Sequence, residues 1–230
     1  MTRTSLALIA LLALAAPAHA EMGPCQPDTH DGLICGDGDG AARVIDGTVS
    51  PAKTHALAWR DLSGPPTEDP DTEKLESILV RLSDGTILAR TEGAYWNTGE
   101  RRANRMSEDA AWSPNSRLVV RIADSRFSTD AIQLHLLGKN DAVSSVDLRA
   151  LVAPAVDGKL RKRVRNADSH VMSVPRDRLS VDNTGRVRLH VVMAVPKQEG
   201  SAGYDLILQA SSGKGPGARI VSIRSVRPAF

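Results

Sequence analysis

The residues best equipped for chemistry in this chain are its scattered histidines, two cysteines and a few alternating carboxylates, and their spacing decides which chemistry they allow. His30, His55, His135, His170 and His190 never recur four apart, so no H-E-x-x-H metal helix exists. There is no G-x-S-x-G nucleophile elbow, and Ser211-Ser212-Gly213 reads as an ordinary turn. Gly213-Lys214 lacks the upstream glycine and the following Ser or Thr of a phosphate loop. Asp37-Gly38-Asp39-Gly40, with Asp46 beyond, alternates carboxylates as a calcium loop does. Counted from Asp37, however, Ala41, Ala42 and Thr48 occupy the fifth ligand, turn-glycine and twelfth ligand positions. Glu68-Asp69-Pro70-Asp71 reads as a solvated loop. Sequence alone therefore assigns no catalytic residue, no metal ligand and no cofactor, although a triad assembled in space leaves no trace in spacing.

Cys25 and Cys35 are close in sequence and are the two cysteines of the chain. In an oxidising compartment such a pair is expected to close a disulfide around a Pro- and Gly-containing loop. A metal site using both thiolates and His30 is the alternative, but structural zinc sites draw on four ligands and no fourth lies at a suitable spacing.

The compartment is suggested by residues 1–20. A basic start at Arg3, an apolar run from Leu6 to Leu14, Pro17 and Ala18-His19-Ala20 have the layout of a cleaved secretory signal peptide. That run is shorter than the roughly 20 residues a membrane span needs. The expectation is a periplasmic or secreted protein beginning at Glu21, with no stable membrane insertion after cleavage. With 29 basic against 27 acidic residues, charge points to no nucleic-acid partner.

Aromatic residues are few: three Trp, two Tyr and two Phe. Tyr95 and Trp96 precede a polar loop, Thr98 to Ala110, that carries Arg101, Arg102 and Arg105. Aromatic and arginine side chains together are what binding hot spots favour, so these five residues form a candidate interaction surface. Trp59, Trp96 and Trp112 are equally suited to fill a core short of large side chains.

Short strands must position these groups. Residues 21–42 read as a disulfide-stapled loop and 43–230 as one β-rich domain. Strand chemistry marks Arg43–Ile45, His55–Trp59, Arg117–Ile122, Ala131–Leu136, Arg186–Met193, Tyr204–Gln209 and Ala218–Ile223. The clearest hairpin spans Leu75 to Arg90 around Ser83-Asp84-Gly85. Leu148, Leu151, Val152, Val156, Leu160 and Val164 recur at helical steps. Pro154 predicts that the helix begins there, with Arg161-Lys162-Arg163-Val164-Arg165 at its last turn.

Trp112-Ser113-Pro114-Asn115-Ser116-Arg117-Leu118-Val119-Val120 resembles the W-S-P-D-G core of the propeller repeats in exported Tol-system and related WD-like periplasmic proteins. Ser50-Pro51 before His55–Trp59, and Asp182-Asn183-Thr184-Gly185-Arg186-Val187, are weaker copies. Asn115-Ser116 replaces Asp-Gly, and the first two copies lie farther apart than the roughly 40–45 residues of one blade. The resemblance implies turns that each lead into an inner strand of a blade.

The resulting expectation is a mainly β protein of antiparallel sheets, propeller-like or a β-sandwich, with one short helix. Its expected role is non-enzymatic, binding an envelope protein or extracellular ligand. A hydrolase with a site assembled from scattered residues is the alternative.

Overall fold

The strand segments assemble into three antiparallel sheets in the computed structural model. It describes residues 22–28, 32–66, 74–91, 106–164, 170–194, 201–211 and 215–228. Tyr95, Trp96, Arg101, Arg102 and Arg105, along with His30, Glu68–Asp71, Arg165 and residues 1–20, lie outside these residues.

The first sheet contains β1 (Cys25–Pro27), β2 (Leu33–Cys35), β3 (Ala42–Val44), β4 (His55–Asp61), β5 (Leu75–Arg81) and β6 (Thr86–Thr91) in chain order. The second contains β7 (Ser107–Trp112), β8 (Leu118–Asp124), β9 (Thr129–Leu137) and β10 (Val143–Asp147), again with sequential neighbours paired. Helix α1 (Arg149–Arg163) leads to the third, containing β11 (Val171–Ser173), β12 (Ser180–Val181), β13 (Arg186–Ala194), β14 (Ser201–Ser211) and β15 (Gly217–Val226). Both β11 and β12 pair with β13.

Side-chain alternation explains how the sheets stack. On β4, Ala56 and Ala58 face one cluster with Ile78 and Val80, while Leu57 and Trp59 face another with Leu79. The second cluster also contains Val119 and Leu137, so it joins the first sheet to the second. The opposite face of β8 and β9 supplies Val120, Ile122, Ile132 and Leu134 to a core shared with the third sheet and α1. The second sheet is thus covered on both faces, and each fully buried Leu or Ile contributes roughly 1.5–3 kcal/mol.

The stapled segment belongs to the first sheet. Cys25 and Cys35 pair directly across β1–β2 and are disulfide-bonded. The sheet then curls until the Cys25 amide donates to Leu82 O at 2.9 Å and the Gly23 amide to Asp84 O at 3.1 Å. This brings Gly23 against the β5–β6 turn, where Gly85 has φ +67° and an added Cβ would overlap the Gly23 carbonyl. Among the described residues, no helix is long and apolar enough to cross a membrane.

Two expectations need correction. The helix does not begin at Pro154; it begins at Arg149 and runs through the proline. Leu148, Val152, Val156 and Leu160 form its buried stripe, whereas Ala150 and Pro154 are exposed. The carbonyl deprived of a partner by Pro154 therefore faces solvent, and Asp147 Oδ1 caps the start by accepting the Ala150 amide at 3.1 Å. The polar loop ending at Ala110 also contains a strand, β7, because its inward Glu108 has a buried partner.

Candidate functional site

Three copies of one turn lead into β4, β8 and β13. Each has four residues, and the fourth returns its amide to the first carbonyl: Lys53 to Ser50 at 2.8 Å, Ser116 to Ser113 at 2.8 Å, and Gly185 to Asp182 at 3.0 Å. That fourth residue is left-handed in every copy, with φ +54°, +58° and +79° respectively. The first side chain receives the amide entering the strand. Ser50 Oγ accepts from His55 N at 3.1 Å, Ser113 Oγ from Leu118 N at 2.9 Å, and Asp182 Oδ1 from Arg186 N at 3.0 Å. The local logic expected of the Ser-Pro segments is present: a proline-set bend, a polar cap, then an apolar strand.

The copies are also joined to one another. Ala52 N donates to Ser116 Oγ at 2.9 Å, and Asn115 N donates to Asn183 Oδ1 at 2.9 Å. Trp112 Nε1 donates to Thr48 O at 2.7 Å, which fixes the second turn against the segment preceding the first. Neutral hydrogen bonds of this kind contribute about 1 kcal/mol each, but together they hold three sheets in one register.

A cleft of about 840 Å³ opens between the first and second turns. Leu33, Val49, Leu82 and the Cys25 end of the disulfide supply apolar walls. Its polar side centres on Asp141, which accepts from Arg81 Nη1 at 3.1 Å and Arg117 Nη1 at 3.2 Å. His55 Nε2 lies 3.4 Å from Asp141 Oδ2, an ion-pair distance rather than a good hydrogen bond. The other ring nitrogen, Nδ1, is 2.9 Å from Thr54 Oγ1, and the ring stacks on Trp112 with centroids 6.2 Å apart.

Charge in the cleft follows from these contacts. Burial pushes the His55 pKa down, and Asp141 only partly offsets this, so the imidazole is neutral at pH 7. For Asp141, burial acts to raise the pKa, but the Arg81 hydrogen bond and the nearby His55 ring outweigh it and hold the carboxylate ionised. Arg81 is raised, chiefly by Asp84, and Asp84 is held down to about 2 by the same bond. The Arg81 guanidinium is consumed by Asp84, Thr86 and Asp141. By contrast, Arg117 commits only Nη1, and the Lys53 ammonium has no partner among the described residues.

Backbone strain collects at this place. The non-glycine residues with positive φ among the described ones are Lys53, Ser116, Asn140 and Asp141. Lys53, Ser116 and Asp141 line the cleft, and Asn140 precedes Asp141. Such conformations cost on the order of 1 kcal/mol or more each and gather at ligand sites, where surrounding structure enforces them.

Thr54, His55 and Asp141 place a hydroxyl, an imidazole and a carboxylate in series, which is the outline of a hydrolytic triad. Two features oppose that chemistry. Asp141 is already held by two arginines, and the amides of Ala52, Lys53, Thr54, His55, Asn115, Ser116 and Arg117 all donate within the protein. No amide pair of these turns is left to receive an oxyanion.

The remaining sequence candidates are dispersed. Trp59 is buried in the core between the first two sheets, and Trp112 is half-buried against the same core and stacked on His55. Asp37 and Asp39 flank and occupy a short 3₁₀ turn, and no group of three or more metal-type ligands converges among the described residues. Lys53, Arg81, Arg117 and Asp141 were not legible as a site, because they come from four different segments. The available signal was the pair of Ser-Pro turns, whose left-handed fourth positions carry side chains where glycine would be less strained.

Compared with known proteins, the chain matches no family model, no curated protein and no solved structure.

Proposed function

We propose that this chain is an exported, non-enzymatic binding module and that its ligand or envelope partner is received in the cleft between the first two Ser-Pro turns. The carrying observation is the gathering of all four left-handed non-glycine residues of the described chain at or beside that cleft. The disulfide is compatible with an extracytoplasmic location. Cleavage after Ala20 and release into the periplasm or medium belong to the same reading. The consecutive-strand order of the first two sheets, and the presence in each of the three of one strand led into by such a turn, favour blade-like units over a two-sheet sandwich.

The test compares the native protein with the Arg117→Ala variant as bait for envelope extract. An envelope or extracellular component held by the native protein and lost from the variant supports the proposal. Turnover of p-nitrophenyl esters that disappears in His55→Gln overturns it in favour of a hydrolase.

A further inference from the structure

We infer that the cleft takes a single-chain amphiphile, an apolar tail ending in an oxyanion such as a carboxylate or phosphate. This rests on the reading of the cleft as a binding site and names the chemistry of its ligand. The volume, about 840 Å³, falls in the range of small-molecule sites, roughly 300–1,000 Å³. Leu33, Val49 and Leu82 give the tail a surface that needs no hydrogen bonds.

The head is chosen by the cations left over. Lys53 and Arg117 approach from different turns, one with an unengaged ammonium and the other with unengaged Nε and Nη2 among the described residues. A guanidinium with two adjacent N–H groups suits the two oxygens of a carboxylate or phosphate. Asp141 does not repel such a head, because its charge is already offset by Arg81 and Arg117. Counting Lys53, Arg81 and Arg117 against Asp141 and Asp84, the cleft retains an excess of one positive charge.

An extended peptide fits less well. It needs backbone partners, and the amides of both turns are occupied internally. A hydrocarbon chain makes no such demand.

Calorimetry on the disulfide-bonded protein tests this, using octanoate, octyl phosphate, octyl glucoside and acetyl-trileucine below their aggregation concentrations. The expected result is octanoate or octyl phosphate binding at least tenfold tighter than octyl glucoside. Which of the two is tighter separates a carboxylate source from a phosphate source. Lys53→Ala and Arg117→Ala should each weaken the anionic ligands about tenfold and leave octyl glucoside unchanged. Equal affinity for charged and neutral heads, indifference to both substitutions, or preference for acetyl-trileucine overturns the inference. Absence of heat with both anionic amphiphiles also overturns it. The binding reading itself stands or falls separately, on bait retention and His55-dependent turnover.

Discussion

Arg121 grips Glu108 with two parallel bonds, Nε to Oε2 at 2.8 Å and Nη2 to Oε1 at 2.6 Å, and neither side chain has exposed surface. Ser77 from the first sheet donates to the same carboxylate, so the pair joins β5 to β7 and β8. Removing one partner leaves a buried charge, whereas replacing both removes the two buried charges together. Glu108→Ala should therefore lose about 3–5 kcal/mol in urea unfolding. The double replacement Glu108→Leu with Arg121→Met should recover most of that loss; a double variant as unstable as the single one would contradict this account.

Ser116 carries two opposing terms. Its left-handed backbone favours glycine, while its Oγ accepts the Ala52 amide at 2.9 Å. Ser116→Ala loses the bond and keeps the strain, which should cost about 1–2 kcal/mol. Ser116→Gly relieves the strain and should lie within about 1 kcal/mol of native stability. Denaturant midpoints of the two variants should fall in that order.

Acid response should reflect two groups of opposite sign, the buried His135 and the half-buried Asp124. His135 is pushed down to about 4, first by burial and then by Arg121. Between that value and 6.5 the unfolded chain binds more protons, so stability drops as pH falls through this window, by about 3 kcal/mol in full. Asp124 is pushed up to about 6, mainly by burial, from 3.8. Between those values the folded state binds more protons, so stability instead increases as pH falls. The native protein should change little between pH 6 and 4, and Asp124→Asn should become markedly acid-sensitive. An unchanged pH profile of the unfolding midpoint in Asp124→Asn would refute the balance.

Pro154 occupies the exposed side of α1 and leaves the Ala150 carbonyl without a helical partner. Pro154→Ala should restore that bond without touching the buried stripe and stabilise the protein by about 1–3 kcal/mol. A rise in melting temperature with an unchanged near-ultraviolet circular-dichroism spectrum is the expected reading. A fall would mean that the proline is required for the turn from β10.

The disulfide should matter beyond its loop. Reducing Cys25–Cys35 removes about 2–3 kcal/mol of unfolded-state constraint. It also frees β1 to leave the β5–β6 turn, where the Cys25 amide meets Leu82 O. Hydrogen exchange should therefore quicken at Gly23 and Cys25 on reduction, before the second and third sheets respond.

Much of the strand inventory was legible because it depends on neighbours in sequence. Ser83-Asp84-Gly85 sets a hairpin through local φ preferences, and the Val187, Leu189, Val191 and Met193 period places one face of β13 in the core. Even the three turns were readable, since a cap and the residue it serves lie within six positions. Glu108 and Pro154 misled for a shared reason: a polar or helix-breaking residue is judged alone, while its cost depends on what faces it. Only the folded chain decided that Arg121 would neutralise Glu108 and that solvent would take the Ala150 carbonyl. It alone brought Lys53, Arg81, Arg117 and Asp141 around one cleft, because electrostatic and packing energies depend on distances in space, which sequence order does not specify.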